Sequence, residues 1–132
     1  MPNNRSAFPY GLRESRTTIR RLKEAFGRKL VILLGEKDVD ENDENLRKTP
    51  EAMAQGKNRL ERGRNFYEAA KVEARRLRTA LNWQLNTVEG VAHSNSGMAR
   101  AALPLLVEQH LKKPPQKAKL AGEVQHPKAK ER

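Results

Sequence analysis

Residues 30–43, LVILLGEKDVDEND, decide how the rest of the chain is read. Five apolar residues, Leu30 to Leu34, run without alternation into Gly35, and six of the next nine residues are acidic. A short, continuous apolar run bounded by turn residues is the pattern of a strand covered on both faces, as in a parallel sheet; a strand with one wet face alternates instead. The acidic burst has three readings: a metal loop, a solvated turn, or the mouth of an active site. What the remaining sequence brings to it decides among them.

Outward from this stretch, the next signals are helical. Thr49 places a capping hydroxyl before Pro50, so TPEAMAQG (49–56) predicts a helix of about two turns ending at Gly56. A longer helix over 59–80 carries Leu60, Phe66, Ala70, Ala74 and Leu77 along one side. NWQLNTV (82–88) alternates Trp83, Leu85 and Thr87 and reads as a second strand. Gly90 opens the loop GVAHSNSG. Beyond it Met98, Ala101, Ala102, Leu105, Leu106 and Gln109 recur at helical spacing, in a helix that Pro104 should kink or shorten. On the other side, Ile19, Leu22 and Phe26 predict an amphipathic helix over 14–26, ended by Gly27, after the turn-like FPYG at 8–11.

The order is helix, strand, helices, strand, helix. Two strands joined through helices are parallel neighbours when the crossover takes its usual right hand. The expected fold class is therefore α/β: a βαβ unit of two parallel strands with flanking helices. Two strands alone leave open edges, so the unit reads as part of a larger sheet, and an exposed edge invites self-association.

Bulk properties narrow the function. The chain has 132 residues and no cysteine, which removes disulfide and thiolate chemistry. No apolar run approaches the roughly 20 residues that span a bilayer. MPNNRSAFPYGLRESR lacks the apolar core of a secretory signal, and the expectation is a soluble, cytoplasmic protein with no membrane contact. The net charge of +11 sits entirely at the ends. Residues 1–29 carry eight Lys/Arg against two acids, residues 112–132 seven against two, and residues 30–111 twelve against twelve. These limits divide the chain into a basic head (1–29), an α/β region (30–111) and a basic tail (112–132) that is too polar to offset its ordering entropy and is expected to be disordered. Charge confined to the ends argues against a folded nucleic-acid domain.

The metal reading fails on two positions. Asp38, Asp40 and Asn42 match the first three ligands of a calcium loop, but its sixth position, a glycine, is here Asp43, and its twelfth, a bidentate glutamate, is Thr49. No metal and no cofactor is expected. The active-site reading gains a partner. In a parallel sheet, ligands bind at the carboxyl ends of the strands. Asp38 follows the first strand and His93 follows the second, so neighbouring strands deliver both to one edge. A carboxylate there holds an imidazole's tautomer and stabilises its protonated form.

The residues that carry this pairing also resemble a known family. Gly35-Glu-Lys-Asp38 after one strand and Gly90-Val-Ala-His93 after the next look like the C-terminal portion of a bacterial α/β hydrolase of the esterase and polyhydroxybutyrate-depolymerase kind. RKTPEAMAQGKNRLERGRNFYEAA and NWQLNTVEGVAHSNSGMARAA extend the resemblance. It implies a Ser-Asp-His triad with Asp38 as acid and His93 as base, Asp40 as the substitute acid, and a small-molecule ester as substrate of the complete enzyme. The nucleophile elbow, G-x-S-x-G, does not occur in these 132 residues: Ser6, Ser15, Ser94 and Ser96 all lack that context. The expectation is thus a C-terminal fragment or divergent remnant, retaining acid and base and inactive alone. The alternative is a small non-enzymatic adaptor whose basic ends contact acidic partners or nucleic acid. Arg59, Arg62 and Arg64 read as a solvated helix face rather than an anion site, Phe66 and Tyr67 as core, and Trp83 as packing for its strand.

Overall fold

The computed structural model describes residues 6–111 of the chain. In order they form α1 (Ile19–Gly27), β1 (Leu30–Gly35), α2 (Pro50–Met53), α3 (Arg59–Arg76), β2 (Trp83–Val88) and α4 (Asn95–Leu111). β1 and β2 pair in parallel, with Leu30 opposite Trp83 and Gly35 opposite Val88. This is the α/β arrangement expected, two parallel strands with flanking helices. The tail read at 112–132 lies outside the described residues.

Local chemistry sets the boundaries, and several differ from the expected ones. α1 starts at Ile19 rather than near 14 because Thr18 caps it: its hydroxyl accepts from the Arg21 N–H at 3.3 Å. α2 is a single turn, opened by the Thr49 hydroxyl accepting from Ala52 N–H. α3 stops at Arg76, short of 80, because Arg78 takes a left-handed φ of 51° and redirects the chain into β2. α4 continues through Pro104 to Leu111. There the proline removes one backbone donor without ending the helix, so the shortening offered as one outcome does not occur. Leu106, on the mostly apolar stripe of that helix, is 62% exposed.

The core lies between α1, α3 and the sheet. Phe26, Ala70, Ala74 and Leu77 are buried together, with Leu22, Leu81 and Trp83 packed around them. Trp83 is held between two rings. Phe26 meets it edge-on at 5.3 Å between centroids, and Phe66 stacks on it at 5.6 Å. The start of β2 also closes the end of α1, whose last carbonyls lack helical partners. Trp83 Nε1, the Asn82 backbone N–H and Asn82 Nδ2 donate to the carbonyls of Ala25, Phe26 and Gly27 at 3.0, 2.8 and 2.7 Å.

Side chains alternate across a strand. Trp83 on the α3-covered face therefore places Leu85 and Thr87 there too, with Leu30, Ile32 and Leu34 as the register partners of the three. Gly63 lets α3 approach closely: a Cβ at that position would overlap the Leu34 side chain. The other face carries Val31 and Leu33 on β1 but Gln84 and Asn86, both exposed, on β2. β1 is thus half-buried rather than enclosed on both faces, and Leu30 is 39% exposed.

Candidate active site

The carboxyl ends of the two strands are joined by backbone before any side chain is considered. Past β1, Glu36 N–H donates to Val88 O at 2.9 Å and Lys37 N–H to Val91 O at 2.8 Å. Gly90, turned by a left-handed φ of 68°, donates its N–H to Glu36 Oε2 at 2.9 Å. Only glycine fits at 35, since a Cβ there would lie 2.6 Å from Val91 O and 2.9 Å from Ala92 O. The loop after β1 and the loop after β2 are consequently a single hydrogen-bonded unit.

Asp38 leaves this unit through a turn, its N–H donating to Gly35 O at 3.2 Å. Its own carbonyl accepts from Leu60 N–H at 3.1 Å, satisfying one of the unpaired first-turn donors of α3. The helix start is fixed independently: the Asn58 side chain accepts from Glu61 N–H at 2.9 Å, and Glu61 Oε2 from Lys57 N–H at 2.8 Å. Asp38 is thereby pinned between a sheet edge and a helix N-terminus, with only 14% of its side chain exposed.

Its carboxylate meets His93. The His93 Nδ1 lies 3.1 Å from Asp38 Oδ2, and because a carboxylate only accepts, Nδ1 carries the proton. His93 is 59% exposed, and its Nε2 makes no hydrogen bond among the described residues. An imidazole with one nitrogen held on a largely shielded carboxylate and the other open can take up and return a proton at Nε2. The two residues singled out from sequence are therefore brought together. Asp40, the substitute acid, instead accepts from the Asn42 backbone N–H at 2.8 Å in a local turn, and does not bond His93.

Arg59 belongs to the same cluster, although its spacing read as a solvated helix face. Nη2 donates to Asp43 Oδ1 at 3.1 Å, and Nη1 lies 3.5 Å from Asp38 Oδ1. The hydrogen bond from Arg59 holds the Asp43 carboxyl below its ordinary 3.8, helped by the Asn45 backbone N–H; Asp43 in turn raises the Arg59 guanidinium above its ordinary value. A sequence signal for this existed. Asn58 as a cap puts Arg59 in the first turn of a helix, where the macrodipole disfavours a cation unless acids are close, and the acidic burst supplies them.

A cleft of about 290 Å³ opens beside the pair, with Leu33, Leu60 and Met98 among its apolar walls and Asp38, Arg59 and His93 among its polar ones. Ser94 borders it but is committed to the N-terminus of α4: its hydroxyl accepts from Gly97 N–H at 3.2 Å and contacts Ser96 Oγ at 3.3 Å. No group of three or more metal-binding side chains converges among the described residues.

Two solved structures are similar to this chain as a whole. The poly(aspartic acid) hydrolase-1 of Sphingomonas sp. KT-1 matches 81% of this chain at 40% identity and a TM-score of 0.78. LpqC, a poly(3-hydroxybutyrate) depolymerase from Bordetella parapertussis, matches 92% of it at 30% identity and a TM-score of 0.77. The chain spans 40% of the length of each. No protein-family model matches the sequence, and a search of curated proteins finds no match.

Proposed function

The chain has an α/β-hydrolase-type fold, as do both of these neighbours, and we propose that it carries the acid and base of a serine-dependent hydrolase of carboxylic esters. The observation that supports this most directly is the 3.1 Å hydrogen bond between Asp38 and His93 at the carboxyl ends of adjacent parallel strands. In this reading His93 Nε2 takes the proton of an attacking serine hydroxyl, then returns it to the departing alkoxide as the tetrahedral adduct collapses. Water repeats the sequence on the acyl-enzyme. Asp38 keeps the proton on Nδ1 throughout and stabilises the imidazolium.

The serine lies outside these 132 residues in this proposal, because none of the chain's own serines stands in an elbow and Ser94 is engaged as a helix cap. The isolated chain is therefore expected to hydrolyse p-nitrophenyl esters no faster than buffer. Turnover that disappears in His93→Ala would overturn that half of the proposal. The other half is tested by exchanging the matching segment of the LpqC depolymerase for this chain. A folded chimera should hydrolyse ester, losing on the order of 10⁶-fold in kcat with His93→Ala and about 10⁴-fold with Asp38→Asn. A folded chimera indifferent to both substitutions would refute the assignment.

A further inference from the structure

We propose that Arg59 is a positioning residue: it holds the Asp38 carboxylate in the orientation that receives the His93 proton, and Asp43 is its anchor. This rests on the acid–base reading above and assigns a purpose to the acidic burst beyond Asp38. The two oxygens of Asp38 are divided between partners, Oδ2 to His93 Nδ1 at 3.1 Å and Oδ1 facing Arg59 Nη1 at 3.5 Å. The last torsion of an aspartate is broad and nearly two-fold, so a carboxylate held on one oxygen alone swings easily. A cation beside the second oxygen removes that freedom.

Arg59 is suited to this by its surroundings. Its side chain is 21% exposed, and Nη1 is buried with no hydrogen-bond partner in the present geometry. A buried donor without a partner is costly, and the nearest carboxylate oxygen able to relieve it is Asp38 Oδ1. Contacts of this kind are often long in a resting site and close when charge develops. The far side of the guanidinium is already fixed by Asp43 Oδ1 at 3.1 Å, itself locked by the Asn45 N–H at 2.7 Å. The chain of contacts therefore runs from a rigid turn, through Arg59 and Asp38, to the imidazole.

The tautomer of His93 reports this directly and requires no turnover. In the ¹⁵N-labelled full chain at a pH where imidazoles are neutral, long-range nitrogen–ring-proton correlations distinguish Nδ1–H from Nε2–H. The His93 signals are assigned by their loss in His93→Gln. The wild type should show Nδ1–H, and Asp38→Asn should lose it to the Nε2–H form that an unconstrained imidazole favours. Arg59→Met should show a large part of that loss, Arg59→Lys should restore part of it by supplying charge alone, and Asp43→Asn should fall between. Nδ1–H undiminished in both Arg59→Met and Asp43→Asn, with loss in Asp38→Asn, overturns the role of Arg59 and leaves the pair standing. Loss in Arg59→Lys as complete as in Arg59→Met also overturns it, by making side-chain shape rather than charge the cause. Absence of Nδ1–H in the wild type overturns the acid–base pair itself. Should Arg59→Met not fold, as judged from its backbone amide spectrum, the shape-preserving Asp43→Asn decides.

Discussion

The two faces of the β1–β2 ribbon are finished differently. On one, Trp83 is gripped by Phe26 and Phe66, and Ala70 and Ala74 of α3 pack with Phe26 at 2% exposure or less. The other carries the exposed Gln84 and Asn86, and α4, which also packs against β1, leaves Leu103, Leu106 and Val107 at 62, 62 and 49% exposure. The Asp38–His93 pair belongs to neither face. It sits at the edge where the strands end, tied there by backbone hydrogen bonds and by the N-terminus of α3. Stability and site geometry are consequently carried by different residues, which can be perturbed separately.

The largest perturbation should be on the closed face. Phe26→Ala removes a fully buried ring and is expected to cost about 3–5 kcal/mol in denaturant unfolding. A cost below 1 kcal/mol would show that this face is not the main core. Gly35→Ala should cost about 1–3 kcal/mol, because the new methyl meets the backbone at 91–92 rather than a side chain that can turn away. Its distinguishing outcome is a displaced His93 ring signal, which Phe26→Ala at low denaturant should leave in place.

A smaller effect is expected on acidification. Asp43 has its carboxyl lowered in the folded state by Arg59, so the stability from that pair is fully present above the unfolded value, near 3.8, and is lost as pH falls through the depressed folded value. Asp43→Asn should flatten that part of the stability–pH curve, and an unchanged curve would remove Asp43 from the network. Least of all should come from the open face: Leu106→Ser should change stability by no more than about 0.5 kcal/mol. A loss several times larger would show that α4 is covered after all, and the contrast between the faces would fail.

Both strands, their parallel pairing and the delivery of Asp38 and His93 to one edge were legible in the sequence, because apolar runs and glycine turns are local signals and a crossover has a preferred hand. What was not legible depends on closeness in space between groups distant along the chain. Arg59 meets Asp43 across 16 residues, and nothing in the periodicity of a helix announces such a meeting. Tyr10, in the head, reaches Thr49 at 2.9 Å and has its carbonyl bonded by Gln55 at 3.0 Å, an attachment that FPYG alone did not suggest. Helix ends were missed in a simpler way. The Thr18 hydroxyl caps the start of α1 and the left-handed Arg78 redirects the chain after α3, and each is a single residue overriding a longer pattern.

The length of the crossover has a kinetic meaning. Asp38 and His93 are 55 positions apart, and the register partners Leu30 and Trp83 lie farther in sequence than any contact within α3. Closing so long a loop costs entropy that only the completed sheet and its packed helix repay. α3 can form early from local contacts, but the imidazole finds its carboxylate only when both strands have docked. The pair is therefore expected to appear in one step with global folding, making the His93 environment a late and sensitive reporter of the native state.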